Sequence, residues 1–260
     1  MRRLALPALA LTVLAGPALS GCATIVDDAV AGAISAPAGD VRARAGATSM
    51  PGDPQTLMTR ITAPEPGDRQ RADRILDAAR EALRPYRDPA AAEAAGYRPF
   101  PPNPGPDLTV VHYVNPNVNE ERGVDYSRPG SILYERDASG RLRLLGAMYT
   151  APVSADLDEL DRRVPLSVTQ WHLHQNVCVP RPLWDEAEWA RTDGRGRAVY
   201  GPGGSAVTEP ACERVGGRFL PTVFGWMAHV NAYADDPADV WNAHYGHEES
   251  GMGGMDHGGH

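Results

Sequence analysis

Lysine is absent from this chain of 260 residues: all 25 basic side chains are arginine, and 33 acidic side chains outnumber them for a formal net charge of −8. Phosphate binding needs a clustered basic footprint, so an acidic chain without one argues against a nucleic-acid partner. Cysteine is scarce too, with three in all. No Cys-x-x-Cys pair, Gly-x-Ser-x-Gly elbow, His-Glu-x-x-His helix or glycine-rich phosphate loop occurs. Their absence removes the commonest signatures of redox, serine-hydrolase, zincin and nucleotide chemistry. No internal repeat is visible, and no uninterrupted apolar run reaches the roughly 20 residues that span a bilayer as a helix.

What is present begins at the N-terminus. Arg2 and Arg3 precede an apolar stretch, residues 4–18, which is broken by Pro7, Gly16 and Pro17 and followed by Leu19-Ser20-Gly21-Cys22. A basic start, a short apolar centre and a small-residue end make residues 1–21 a signal peptide rather than a membrane span. Leu-Ser-Gly-Cys resembles the lipobox of bacterial lipoproteins. The resemblance implies cleavage before Cys22, acylation of that cysteine, and attachment to a membrane of the cell envelope through the lipid. Ala23 stands where aspartate would mark inner-membrane retention, so the outer membrane or the periplasmic face is implied for a Gram-negative cell. Cleavage also removes Arg2 and Arg3, leaving 23 basic against 33 acidic side chains, a net −10.

Residues 22–67 are rich in Ala, Gly, Pro, Asp and Ser without apolar periodicity, a composition that predicts a flexible tether with only a weak signal of order over 50–62. A helix is expected from Asp68, read as its N-cap, through Ala72, Ile75, Leu76, Ala79 and Leu83 to the stop at Pro85. Asp88-Pro89 starts a second, alanine-rich helix that Gly96 ends. Prolines crowd residues 97–106 and predict an extended connector. Strands are expected over 108–115, 131–136, 141–149, 167–177 and 223–233, with Asp137-Ala138-Ser139-Gly140 as a hairpin turn. A long Pro- and Gly-rich excursion, residues 180–221, separates the last two, and Trp184 and Trp189 are expected to pin a short helix in it to the sheet. Asp156, Asp158, Glu159 and Asp161 read as a solvated turn or helix start, with calcium binding as the alternative that their order, lacking the glycine of a calcium loop, disfavours. The fold class is α+β, with one or two N-terminal helices on a mainly antiparallel sheet, over residues 68–243.

Trp171-His172-Leu173-His174 carries the chemistry. Two histidines at i, i+2 in a strand put both imidazoles on one face, and imidazole is the commonest protein ligand for borderline transition metals. His112 and His229 lie in similar apolar runs. If the strands are neighbours, His112, His172, His174 and His229 converge, with Asn115, Asn176, Asn231 or Tyr233 available to orient the rings. A three-histidine set with an open position binds copper or zinc and can activate water or dioxygen. Cupin-type enzymes also place His-x-His on a strand but add a glutamate soon after, and residues 175–182 contain no acid. The plain alternative is that each is a satisfied core histidine.

Cys178 and Cys212 remain after lipidation of Cys22. An exported compartment favours their pairing, which closes a loop of about 35 residues and is worth roughly 3–4 kcal/mol on the chain-entropy model. In the rival arrangement an unpaired Cys178, sharing strand parity with His172 and His174, completes a His-His-Cys copper site. Residues 244–260 form a further signal, interleaving His244, His247, Met252, Met255, His257 and His260 with glycine. Thioethers select cuprous copper and imidazoles accept cupric copper, nickel or zinc, so this reads as a flexible metal-capture tail.

The segments Ala94-Ala95-Gly96-Tyr97, His112-Tyr113-Val114-Asn115, Leu133-Tyr134-Glu135, Trp171-His172-Leu173-His174 and Gly225-Trp226-Met227-Ala228-His229-Val230 resemble an exported bacterial protein family of unassigned function, over about residues 86–241. That resemblance implies a grouping of the histidines and no reaction. The expectation is a lipid-anchored protein that binds a transition metal, copper first and zinc second, for metal binding, delivery or resistance, with a metal-donor or acceptor protein as its partner. Two alternatives stand beside it. One is a metal-dependent enzyme acting on an exported small molecule or envelope component, and the other is a metal-free envelope interaction module.

Overall fold

The computed structural model describes residues 38–102 and 108–243. The segment expected as a signal peptide, Cys22, and the residues expected as tail ligands, His244, His247, Met252, Met255, His257 and His260, lie outside the described residues. Eight strands make one sheet: β1 (Thr48–Met50), β2 (Asp53–Met58), β3 (Arg98–Phe100), β4 (Val110–Val114), β5 (Ser131–Arg136), β6 (Leu142–Ala151), β7 (His172–Val179) and β8 (Arg218–Val230). Their order is β1-β2-β7-β8-β6-β5-β4-β3, and every neighbouring pair is antiparallel. The helices are α1 (Ala38–Arg44), α2 (Asp68–Leu83), α3 (Pro89–Ala94), α4 (Leu157–Arg163), α5 (Glu186–Trp189) and α6 (Glu209–Arg214). This is the expected α+β class. Among the described residues no helix is long and apolar enough to cross a membrane.

Alternation along the strands sorts the sheet into two faces. One carries Leu57, Val111, Tyr113, Ile132, Tyr134, Ala147, Tyr149, Leu173, Ala228 and Val230, all in the main core with residues of α1 to α4. Helix α2 supplies Ile75, Ala79 and Leu83, one stripe at helical spacing, and at about 25 cal/mol per Å² Ile75 and Leu83 each contribute roughly 1.5–3 kcal/mol by their burial, Ala79 less. Gly67, left-handed at φ 97°, takes the N-cap position expected of Asp68. Asp68 is instead the buried first residue of the helix, where its carboxylate accepts from Ser167 Oγ, Glu65 N and Arg71 Nη2, and these bonds hold its pKa down to about 2. The helix start is thereby fastened to the chain leading into β7.

The folded body reaches further N-terminally than Asp68. Within the stretch expected as a tether, β2 is hydrogen-bonded to β7, with Thr56 opposite His174, Leu57 opposite Leu173 and Met58 opposite His172. Composition concealed it because Pro54 and the polar Gln55 and Thr56 interrupt the apolar pattern. Those polar groups are buried and bonded: Gln55 Nε2 donates to the Asn176 carbonyl at 2.7 Å, and Gln55 Oε1 accepts from Gly203 N at 3.0 Å.

The opposite face is concave. His112 on β4 and His229 on β8 are three strand steps apart, about 14 Å on a flat sheet, yet their Nε2 atoms lie 3.4 Å apart. Local irregularities allow the curl: a register shift where Leu133/Tyr134 face Gly146/Leu144, and another where β8 inserts extra residues between Val223 and Met227. Phe224 and Gly225, at φ 59° and 73°, form that second kink. The excursion closes one end of the hollow. Phe100 on β3 meets Phe224, Trp189 and Trp184 edge-on at centroid distances of 5.0, 5.5 and 6.1 Å. Trp189 ends α5, so a tryptophan does pin a short helix there, and the Cys178–Cys212 disulfide, with Cα atoms 5.5 Å apart, ties α6 to β7.

Candidate functional site

All four sequence-predicted histidines project from the concave face, because Leu173, Val111, Tyr113, Ala228 and Val230 beside them in sequence occupy the helix-covered one. They form a row. Ring centroids are 5.4 Å apart for His174 and His172, 4.8 Å for His172 and His229, and 5.3 Å for His229 and His112. His172 and His229 are 5% and 2% exposed, while His174 and His112 at the two ends are half-buried. Apolar side chains surround it: Val110, Leu133, Leu145, Met148 and Met227 form one buried cluster on this face.

The hydrogen bonding of His174 fixes its chemistry. Thr56 Oγ1 donates to Asp53 Oδ2 at 2.6 Å, since an ionised carboxylate only accepts, and the same hydroxyl lies 2.9 Å from His174 Nδ1. With its proton committed to Asp53, the hydroxyl must accept from His174 Nδ1–H. A carboxylate and hydroxyl that hold one ring nitrogen in this way are the kind of outer partners that orient a metal-binding imidazole. Of the groups expected to orient the rings, the Asn115 and Asn231 amide nitrogens and the Tyr233 hydroxyl are engaged elsewhere. Asn115 Nδ2 donates to the Ala95 carbonyl, Asn231 Nδ2 to the Asp239 and Asn242 carbonyls, and the Tyr233 hydroxyl to the Arg80 carbonyl, while the Asn176 carbonyl accepts from Gln55. Thr56 and Asp53 were missed because they lie in the stretch taken for a tether.

Cys178 is not a ligand. Its sulfur is bonded to Cys212, so no thiolate faces the histidines, and Asn176 at φ 57° breaks the alternation that would have aligned Cys178 with His174. The His-His-Cys arrangement is thereby ruled out in favour of the disulfide.

The nearest buried carboxylate by sheet register is Glu120. It holds Thr150, which shares a ladder line with Met227 and, beyond it, His172. Burial pushes its pKa up, while its oxygens accept from Thr150 N at 2.6 Å, Thr150 Oγ1 at 2.7 Å and Gly130 N at 3.2 Å, which act in the opposite direction. Arg163 binds the neighbouring carbonyls of Glu120 and Glu121. Glu120 is a structural clamp on the end of β6. The acidic run likewise makes a helix start, with Asp156 Oδ1 capping Glu159 N.

Two neighbouring imidazoles that share a tetrahedral ion at about 2.0–2.1 Å have nitrogens about 3.3–3.4 Å apart and ring centroids about 5 Å apart. The His112–His229 nitrogens and all three ring spacings lie close to those values. Among the described residues no group of three or more His, Cys, Asp or Glu side chains is arranged to hold an ion as it stands, because the rings follow one another in a row instead of converging on a point. Comparison of the chain with family models, with curated proteins and with solved structures gave no match.

Proposed function

We propose that the chain is an exported, lipid-anchored protein whose concave sheet face binds a transition metal, copper in the first place and zinc in the second, for metal binding, delivery or resistance. The observation that carries this reading is the pairing of His112 and His229, with Nε2 atoms 3.4 Å apart although their strands are not adjacent. His172, with its ring centroid 4.8 Å from that of His229, is the ring next to the pair, and His174, oriented through Thr56, lies beyond it. Drawing a third ring toward a pair costs about 0.5–1.5 kcal/mol for an off-rotamer side chain. Structural zinc sites release about 10–16 kcal/mol, so the row can close around an ion. The tail histidines and methionines would gather the ion or pass it to a partner protein.

The metal-free reading has its own support. The rings are largely buried among apolar side chains, and 3.4 Å is also within reach of a long N–H···N bond. Elemental analysis separates the two. The secreted chain carrying Cys22→Ser is loaded with copper or zinc and dialysed, alongside the His172→Ala/His174→Ala and His112→Ala/His229→Ala variants and a form ending at Gly246. Stoichiometric metal in the form ending at Gly246, lost in the histidine variants, is the expected result. Metal that disappears with the tail alone would assign the binding to the tail, and no metal in any form would leave the histidines as core residues.

A further inference from the structure

The chain has seven methionines, of which four, Met50, Met58, Met148 and Met227, are among the described residues. Three of those four stand directly opposite a histidine of the row. Met58 on β2 and Met227 on β8 flank His172 from its two sides, and Met148 on β6 faces His229. Directly opposed residues of an antiparallel pair project on the same face, with Cβ atoms about 4.5–5.5 Å apart, so these thioethers border the imidazoles. All three are buried, at 5%, 2% and 2% exposure, and Met148 and Met227 belong to the apolar cluster that lines the hollow. Methionine often fills gaps in cores. A gap filler has no reason to choose the cross-strand partners of histidines three times, whereas Met50, on the edge strand β1, has no such neighbour.

Resting on the metal-binding reading above, we infer that the site is a mixed imidazole–thioether site for cuprous copper, with His172 and His229 as nitrogen donors and one or two sulfurs drawn from Met58, Met148 and Met227. Soft thioethers discriminate in favour of Cu(I), while zinc and Cu(II) take imidazole and carboxylate. The apolar lining suits a monovalent ion bound by neutral ligands, since only one positive charge is desolvated. Methionine has three rotatable side-chain bonds, so a sulfur can swing toward an ion between His172 and His229, whose rings are 4.8 Å apart.

The test uses the full secreted chain with Met252→Ser and Met255→Ser, so that no tail thioether contributes. Affinity for Cu(I) is measured anaerobically against a chromophoric chelator, and affinity for zinc separately, in that parent and in its Met58→Leu/Met148→Leu/Met227→Leu derivative. The derivative is expected to lose at least the about 10–100-fold in Cu(I) affinity that removal of an outer partner of a metal ligand costs, with zinc affinity nearly unchanged. Selenomethionine labelling of the parent provides a readout that needs no core substitution: X-ray absorption of the Cu(I)-loaded protein should show a copper–selenium shell. Absence of that shell, or Cu(I) affinity kept by the leucine derivative, would overturn the thioether assignment while histidine-dependent metal binding stands. Failure of the parent to bind either metal would overturn both.

Discussion

Gly146 is where the curl of the sheet meets its sharpest steric test. It sits on β6 opposite Leu133, at the register shift, and a Cβ placed there would lie 2.0 Å from the Val230 carbonyl oxygen, 2.8 Å from Asn231 Cα and 2.9 Å from the Val230 carbonyl carbon. All three atoms are backbone, so no side chain can swing away. Real Cβ contacts begin near 3.0 Å, so Gly146→Ala demands a retreat of about 1 Å by the segment that follows His229. Overpacking costs about 1–3 kcal/mol. The nearby Tyr233 N to Leu145 O bond, 2.8 Å long, and the β6–β8 ladder at Ala147 and Val230 are then stretched, at about 0.5–1.5 kcal/mol for each bond lost. The sum is roughly 2–6 kcal/mol, or a fall in Tm of the order of 10 °C for a domain of this size. Thermal and urea unfolding of Gly146→Ala measure it, with Gly194→Ala as the control, since nothing lies within 4 Å of a Cβ there. A Gly146→Ala variant within 0.5 kcal/mol of the parent would refute the close approach, and with it the account of how β8 is bent toward β4.

Three further outcomes are expected. Replacing both Cys178 and Cys212 with alanine should cost about 4 kcal/mol in urea unfolding, given their separation of 34 residues, and a loss below 1 kcal/mol would mean that the excursion is held by its aromatic cluster alone. Asp68→Asn should lower stability at neutral pH. Because the folded pKa of about 2 lies below the unfolded value of 3.8, the stability Asp68 adds is full above about pH 5 and is lost as pH falls through 3.8 toward 2, so the gap between parent and variant, followed by denaturation at each pH, should close there. Thr56→Val keeps the shape but deletes the acceptor for His174 Nδ1–H, and if the row binds metal, affinity should drop by about 10–100-fold in chelator competition with the fold intact. Unchanged affinity would remove Thr56 from the site.

Local signals identified most elements because local chemistry makes them. The Asp137 turn is self-contained: Asp137 N donates to the Arg141 carbonyl, its Oδ1 accepts from Ser139 N and Arg141 N, and Gly140 takes φ 83°. Helix α3 is similar, with Asp88 capping Ala90 N and Pro89 in the first turn. Strand β2 has a local bond too, from Gln55 N to Asp53 Oδ1, but that bond does not set its place in the sheet. It is held by β7, more than a hundred residues away in sequence, and the Gln55 side chain finds its partners there and in the excursion, so composition alone made it look like a linker.

The same division runs through the site. Alternation within a strand is a local property, and it placed His172 and His174 on one face correctly. Which side chains lie beside them depends on strand order, and β7 takes its neighbours from two places that local pattern cannot couple: a strand inside the apparent tether and a strand beyond the excursion. Thr56, Met58 and Met227 therefore became visible as neighbours only through the register. The approach of His112 to His229 is more remote still, since it requires the curl set by two irregularities and by a glycine at Gly146. A substitution there that touches no histidine should nevertheless separate those rings, and this couples the packing of β6 to whatever chemistry the row performs.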